Sequence, residues 1–159
     1  MDDLDTLIRF LHILGVAVWL GGLVFVGAVA VPVARMGGDR VRSRELITRI
    51  ARRFAVVGGI AWLLILTTGM GILGRRDISI SELPDTEQGQ RILAKLIILL
   101  ALGAIVALHA AWQGPKVRRA EEAGDDAAAR RWKLVGAVLD SLILLGSLGA
   151  LWLATSLVA

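Results

Sequence analysis

The sequence predicts an all-α, polytopic membrane protein: an antiparallel up-down bundle of four transmembrane helices, with both termini outside. Three observations predict it. Apolar residues make up 56% of the 159 positions and gather in blocks instead of recurring singly. Four blocks, 10–34, 54–74, 96–112 and 134–159, contain one acidic residue, Asp140, and no Lys or Arg. A hydrocarbon core of roughly 30 Å takes about 20 helical residues, so each block reads as one span. The charges meanwhile collect between the blocks, which is the third observation.

The spans are placed at about 5–34, 54–75, 92–113 and 133–158, in a single domain covering 1–159. Each must be helical, because backbone polar groups in lipid have to be paired within the segment. The acidic start, Met1-Asp2-Asp3-Leu4-Asp5, and the length of the first apolar run read as a membrane helix and not as a cleaved signal. Of the 18 Lys and Arg, 13 lie in the connections 35–53 and 114–133, against five at positions 9, 75, 76, 91 and 95. Positive connections stay cytoplasmic, which puts both termini outside. Trp112 and Trp132 fall at the inner interface, where indole rings sit well. The connection 75–91, with Pro84, reads as a surface turn or short helix. No internal repeat or dividing linker is evident.

This placement makes the high isoelectric point, near 10.6, a topology signal. The reading includes a lipid bilayer and excludes a nucleic-acid partner. The chain has no cysteine, which excludes disulfides, zinc-thiolate and iron–sulfur centres. No P-loop, hydrolase triad, zincin helix or dinucleotide fingerprint occurs.

The informative residues are the polar ones left inside the spans, since such groups are costly in lipid and are functional candidates by default. On the first helix His12, Gly15, Trp19 and Gly22 recur at helical spacing and form one stripe. The two glycines leave room for either a neighbouring helix or a flat cofactor. On the third helix Lys95 and His109 share a face, near opposite ends. On the fourth, Asp140 lies eight residues past Trp132, roughly 12 Å along the helix, where a bare carboxylate needs a partner such as His109 or an arginine. His12 and His109 belong near opposite membrane surfaces, so one iron bound by both is not expected. A second polar or proton site at His109 and Asp140 fits better.

Histidine suits haem iron or copper. Met70, near the outer end of the second helix, is a further soft ligand. Arg9, Lys95, Arg75 and Arg76 offer cations for haem propionates. With three Met and two His in the chain, the ligand inventory leans toward haem b, with copper open.

Residues 11–22, LHILGVAVWLGG, followed by Phe25 and Pro32, resemble the first helix of the copper-resistance D (CopD-like) membrane domain family. Arg53-Phe54 with Thr68-Gly69 resembles its second helix. Lys95 within 91–96, followed by His109 and Pro115, resembles its third. The likeness covers 1–120, and the fourth helix adds little beyond hydrophobicity. The His-plus-Lys pattern is also similar, more distantly, to the HemJ-type haem-binding membrane proteins, with a different continuation at 21–25. The resemblance implies a redox metal centre in the bundle, with His12 as axial ligand and membrane electron transfer or metal and haem handling as the role. Alternatives are copper transport without haem, protoporphyrinogen oxidation, or a cofactor-free assembly subunit. The expected setting is a bacterial inner membrane. Quinone, a periplasmic redox or metal-carrier protein, and a second copy of the chain are the expected partners.

Overall fold

A computed structural model describes residues 3–75 and 80–155. Among these residues the chain is almost wholly helical and has no strand. Four helical runs, Asp3–Met36, Val41–Gly74, Glu87–Glu122 and Asp126–Thr155, are long and apolar enough to cross a membrane. The all-α membrane fold expected from the blocks is therefore what forms. The chain divides into two compact units, Met1–Glu82 and Leu83–Ala159.

In the first unit α1 (Asp3–Phe25) runs through a π-helical turn (Val26–Ala30) into α2 (Val31–Met36), and α3 (Arg40–Gly74) returns alongside. The wide turn has a local cause. Pro32 has no N–H, and in a regular α-helix its ring would strike the carbonyl four residues back. The turn just before it is widened, with the Val31 N–H donating to the Val26 carbonyl five residues back. Gly38 takes a positive φ of 72°, open to glycine at no steric cost, and so ends α2. The Asp39 carboxylate then accepts the N–H groups of Val41 and Arg42 at 2.9 and 3.2 Å and starts α3.

The connection expected over 35–53 is accordingly only a short turn, and most of its arginines are helical. Arginine is a good helix former, and nothing after Gly38 interrupts the pattern. At 35 residues α3 is roughly 50 Å long, about 20 Å more than a hydrocarbon core needs. Its basic first third therefore has length to stand clear of the lipid. At the other end Arg75 Nε meets the Asp5 carboxylate and ties the close of α3 to the start of α1.

In the second unit a 3₁₀ turn (Ile80–Asp85) leads into α4 (Glu87–Leu108). Thr86 caps this helix by accepting the Gly89 N–H at 3.0 Å. Leu83 is 1% exposed, and its carbonyl lies so close to Gly89 that a Cβ there would sit 2.2 Å from it. A π-helical turn (His109–Gln113), α5 (Gly114–Glu122) and α6 (Asp126–Thr155) follow. The connection 114–133, expected as a loop, is likewise helical except around Gly124, whose φ is +69°.

The two units share a plan the sequence reading did not detect: a long helix, a π turn, a proline, a left-handed glycine, an aspartate cap and a returning helix. Asp125 accepts the Ala128 N–H at 2.9 Å, as Asp39 caps α3. His12 stands 20 residues before Pro32, and Lys95 stands 20 before Pro115. The shared features are few, α5 is three residues longer than α2, and the apolar positions between are interchangeable, so self-similarity is low in the sequence.

Packing within each unit is made by small residues. A Cβ on Gly15 would meet Ile65 Cγ1 at 3.0 Å and the Ala61 carbonyl at 3.2 Å, and one on Gly22 would overlap the Phe54 ring. Leu102, 4% exposed, fills the space over Gly146 in the same way. Many large apolar residues elsewhere, among them Phe10, Ile13, Val56 and Leu145, face outward, as lipid contact requires. Gly15→Val is expected to destabilise the first unit by about 1–3 kcal/mol through overpacking, and Ile65→Ala in the same chain to restore only part of it, because the contact with the Ala61 carbonyl remains. Thermal unfolding in detergent of the single and double variants checks this.

Candidate functional site

The first candidate site lies between α1 and α3. His12 sits on the α1 stripe with Gly15 and Trp19, and that stripe is the face packed on α3, with Trp19 6% exposed. His12 Nδ1 is 2.9 Å from Thr68 Oγ1. The ring also lies against Gly69, where a Cβ would be 3.5 Å from His12 Cε1. Thr68 is buried, and its hydroxyl contacts the Leu64 carbonyl of its own helix, with the Ile65 carbonyl at 3.3 Å. A hydroxyl has one proton to donate, and this one is committed to the backbone. With that proton on the backbone carbonyl, Thr68 Oγ1 accepts from a His12 Nδ1–H, the tautomer that carries its lone pair on Nε2. A second-partner contact of this kind commonly orients a ligating histidine.

The rest of the expected outer site is less gathered. Gly15 and Gly22 receive Ile65 and Phe54, so no room for a flat macrocycle opens beside them in the described residues. Met70 comes two residues after Thr68, roughly 200° round the helix, and is 36% exposed, so its thioether does not share the His12 face. Arg9 is exposed, Arg75 is engaged with Asp5, and Arg76 lies outside the described residues. Lys95 is half-buried on α4 of the second unit.

The second candidate site is in that unit. His109 opens the π turn after α4, and its Nε2 stands 3.6 Å from Asp140 Oδ1 on α6. The partner expected for Asp140 is thus the histidine. A turn away, Gln113 Nε2 donates to the Trp132 carbonyl at 3.3 Å, and Gly136 makes room for its amide. Lys116 Nζ lies 4.1 Å from the Trp132 ring centroid and 5.8 Å from that of Trp112, joining both indoles to the end of the hairpin. No group of three or more His, Cys, Asp or Glu gathers as a metal cluster among the described residues.

Thr68 is the partner of His12 that the helical stripe alone does not reveal. A hairpin turning at Gly38 brings position 64 level with position 12, and Thr68 stands one helical turn further along α3, so the register alone does not mark it.

A family model for copper resistance protein D matches residues 48–155, more than half of the chain. The chain belongs to the CopD family. The match covers α6, which had added little to the likeness, and leaves out the LHILGVAVWLGG segment that carried much of it. The CopD match lends nothing to the HemJ likeness. No curated protein and no solved structure matches the chain.

With two histidines in the CopD chain, His109→Gln leaves His12 as the one imidazole. Its ¹⁵N spectrum is expected to show the Nδ1–H tautomer and to lose that preference in Thr68→Val. An Nε2–H tautomer in the Thr68 protein would overturn the assignment.

Proposed function

We propose that this CopD-family protein handles copper in the membrane, with His12 Nε2 as the nitrogen that takes the ion. The observation that carries the reading is the His12–Thr68 hydrogen bond. It orients an intramembrane imidazole with Nδ1 toward a hydroxyl and Nε2 as the remaining ring nitrogen, inside a family named for copper resistance. Imidazole suits copper. With one histidine in this unit, the ion is cargo held briefly, and water or a donor from the delivering partner completes its coordination.

The basic ends of α3 and of the α5–α6 hairpin face the cytoplasm in this proposal, which places both termini and His12 toward the outer surface. Copper then arrives from a periplasmic metal-carrier protein, and the membrane is a bacterial inner membrane. A reporter fused after residue 159 is expected to be active outside the cytoplasm.

The test of the copper reading is metal content and copper binding of the purified protein. Copper is expected to bind the wild type, and His12→Ala is expected to abolish binding at that site. Thr68→Val is expected to weaken it about 10- to 100-fold, as loss of an outer-shell partner does at metal sites. A metal-free protein that ignores added copper, or a Soret band in its place, would overturn the proposal, the second outcome in favour of haem.

A further inference from the structure

We propose that one side of the basic end of the first unit is a binding surface for anionic phospholipid. Arg42, Arg49 and Arg53 take the phosphate oxygens, and Phe25, Val29 and Val33 take the acyl chains.

The two arms of this hairpin disagree about where the membrane ends. Gly22 of α1 receives the Phe54 ring, and the Ala34 carbonyl of α2 accepts from Ser43 Oγ. Residues 22–34 therefore run beside 43–54. On the first arm 23–34 carries no charge, a stretch of roughly 18 Å. On the second arm the same levels hold Arg44, Arg49, Arg52 and Arg53. Hydrocarbon suits the first arm and excludes the second, whereas water does the reverse. The interfacial layer of a bilayer offers acyl chain and phosphate side by side. Arginine carries its charge on a long apolar stem, so its guanidinium can reach that layer from beside hydrocarbon.

The two sets of residues also share one side of the hairpin. Val26, Ala30 and Ala34 continue the line that α1 turns toward α3, and Phe25, Val29 and Val33 each come one place before them. Ser43, Ile50 and Phe54 lie on the matching line of α3, and Arg42, Arg49 and Arg53 each come one place before those. One place is about 100° round a helix. In an antiparallel pair that rotation carries both sets to the same side, because the two-fold axis between the helices exchanges them. All six are exposed, with Phe25, Val29 and Val33 at 55%, 45% and 59%.

Charge selects an anionic lipid. Segment 35–53 has seven arginines and two acidic residues, Asp39 and Glu45. Asp39 caps α3, and Glu45 meets Arg49 at 2.5 Å. The corresponding 114–133 of the second unit has six basic residues against four acidic ones, with Lys133 on Glu121 and Arg118 on Glu122. The excess positive charge is thus concentrated in the first unit. Guanidinium matches the geometry of phosphate oxygens, and the apolar side chains continue the lipid-facing surface of α1.

The experiment adds an equimolar mixture of phosphatidylglycerol and phosphatidylcholine to the delipidated full chain in detergent and reads bound lipid by native mass spectrometry. Phosphatidylglycerol is expected to be preferred at least about fivefold, what one arginine contributes at an anionic lipid surface. The triple variant Arg42→Gln, Arg49→Gln, Arg53→Gln is expected to lose the preference, and the same three positions changed to Lys to keep it, which shows that charge and not folding is read. Val29→Ser with Val33→Ser is expected to reduce the phosphatidylglycerol bound, and excess glycerol phosphate to displace none of it. Equal binding of the two lipids by the wild type would overturn the inference, as would a preference that survives the Gln triple variant or is lost in the Lys one. Displacement by glycerol phosphate, or binding indifferent to the valine changes, would reduce the surface to an anion site and overturn it as drawn. A dimer in detergent that the valine variant loses, with no lipid preference, would overturn it in favour of a second copy of the chain.

Discussion

The structure depends on one constraint: hydrocarbon offers no partner to a polar group, so the chain must supply every partner itself. The constraint sets the long helices first. It then sets where they widen, since both π turns stand just ahead of a proline that cannot continue the ladder. It also disposes of the hydroxyls. Thr67, Thr68, Ser141 and Ser147 all lie on carbonyls of their own helices. At Thr68 this has a chemical consequence. A hydroxyl whose proton is spent on the backbone can only accept, and His12 is the group it accepts from. The orientation of the imidazole thus follows from the solvent around the helix, through one threonine.

The same solvent explains the glycines. Lipid chains are as apolar as leucine, so helices associate in a membrane through close van der Waals fit and not through burial from water. Small residues are what allow that fit. Gly15 takes Ile65, Gly22 takes Phe54, Gly136 takes the Gln113 amide and Gly146 takes Leu102. A glycine stripe beside a histidine can equally suggest room for a macrocycle, and the partner helix decides between the two. Here the partner carries a phenylalanine and an isoleucine at the level of the gaps.

Much of the fold was legible because hydrophobic blocks and charge runs are properties of composition along the chain. The four spans and the stripe of His12, Gly15, Trp19 and Gly22 needed only length and helical period. What sequence alone obscured depended on partners or on backbone detail. The arginines of 40–53 read as loop because charge marks the end of a span, yet charge does not end a helix, and Asp39 starts one there. Met70 read as a neighbour of His12 because both lie near one end of a span, but the helical angle turns it away from Thr68. The pairing of His109 with Asp140 was foreseeable, since an intramembrane carboxylate needs a partner and few exist. The two-unit repeat was hidden because its markers are two prolines, two glycines and two aspartates among interchangeable apolar residues.

The scarcity of ligands bears on what kind of copper chemistry such a chain can do. It has no cysteine, two histidines and three methionines, and no cluster of three His, Cys, Asp or Glu forms among the described residues. Each added protein ligand deepens the well an ion sits in, and among related sites tighter binding is mostly slower release. A storage or redox centre needs that depth and a closed first shell. A protein that receives an ion at one place and yields it at another needs shallow sites with exchangeable positions. On the proposed copper reading, one imidazole oriented by Thr68 is shallow in this sense. In that proposed reading the ion is cargo, and a small donor set gives it a short residence time.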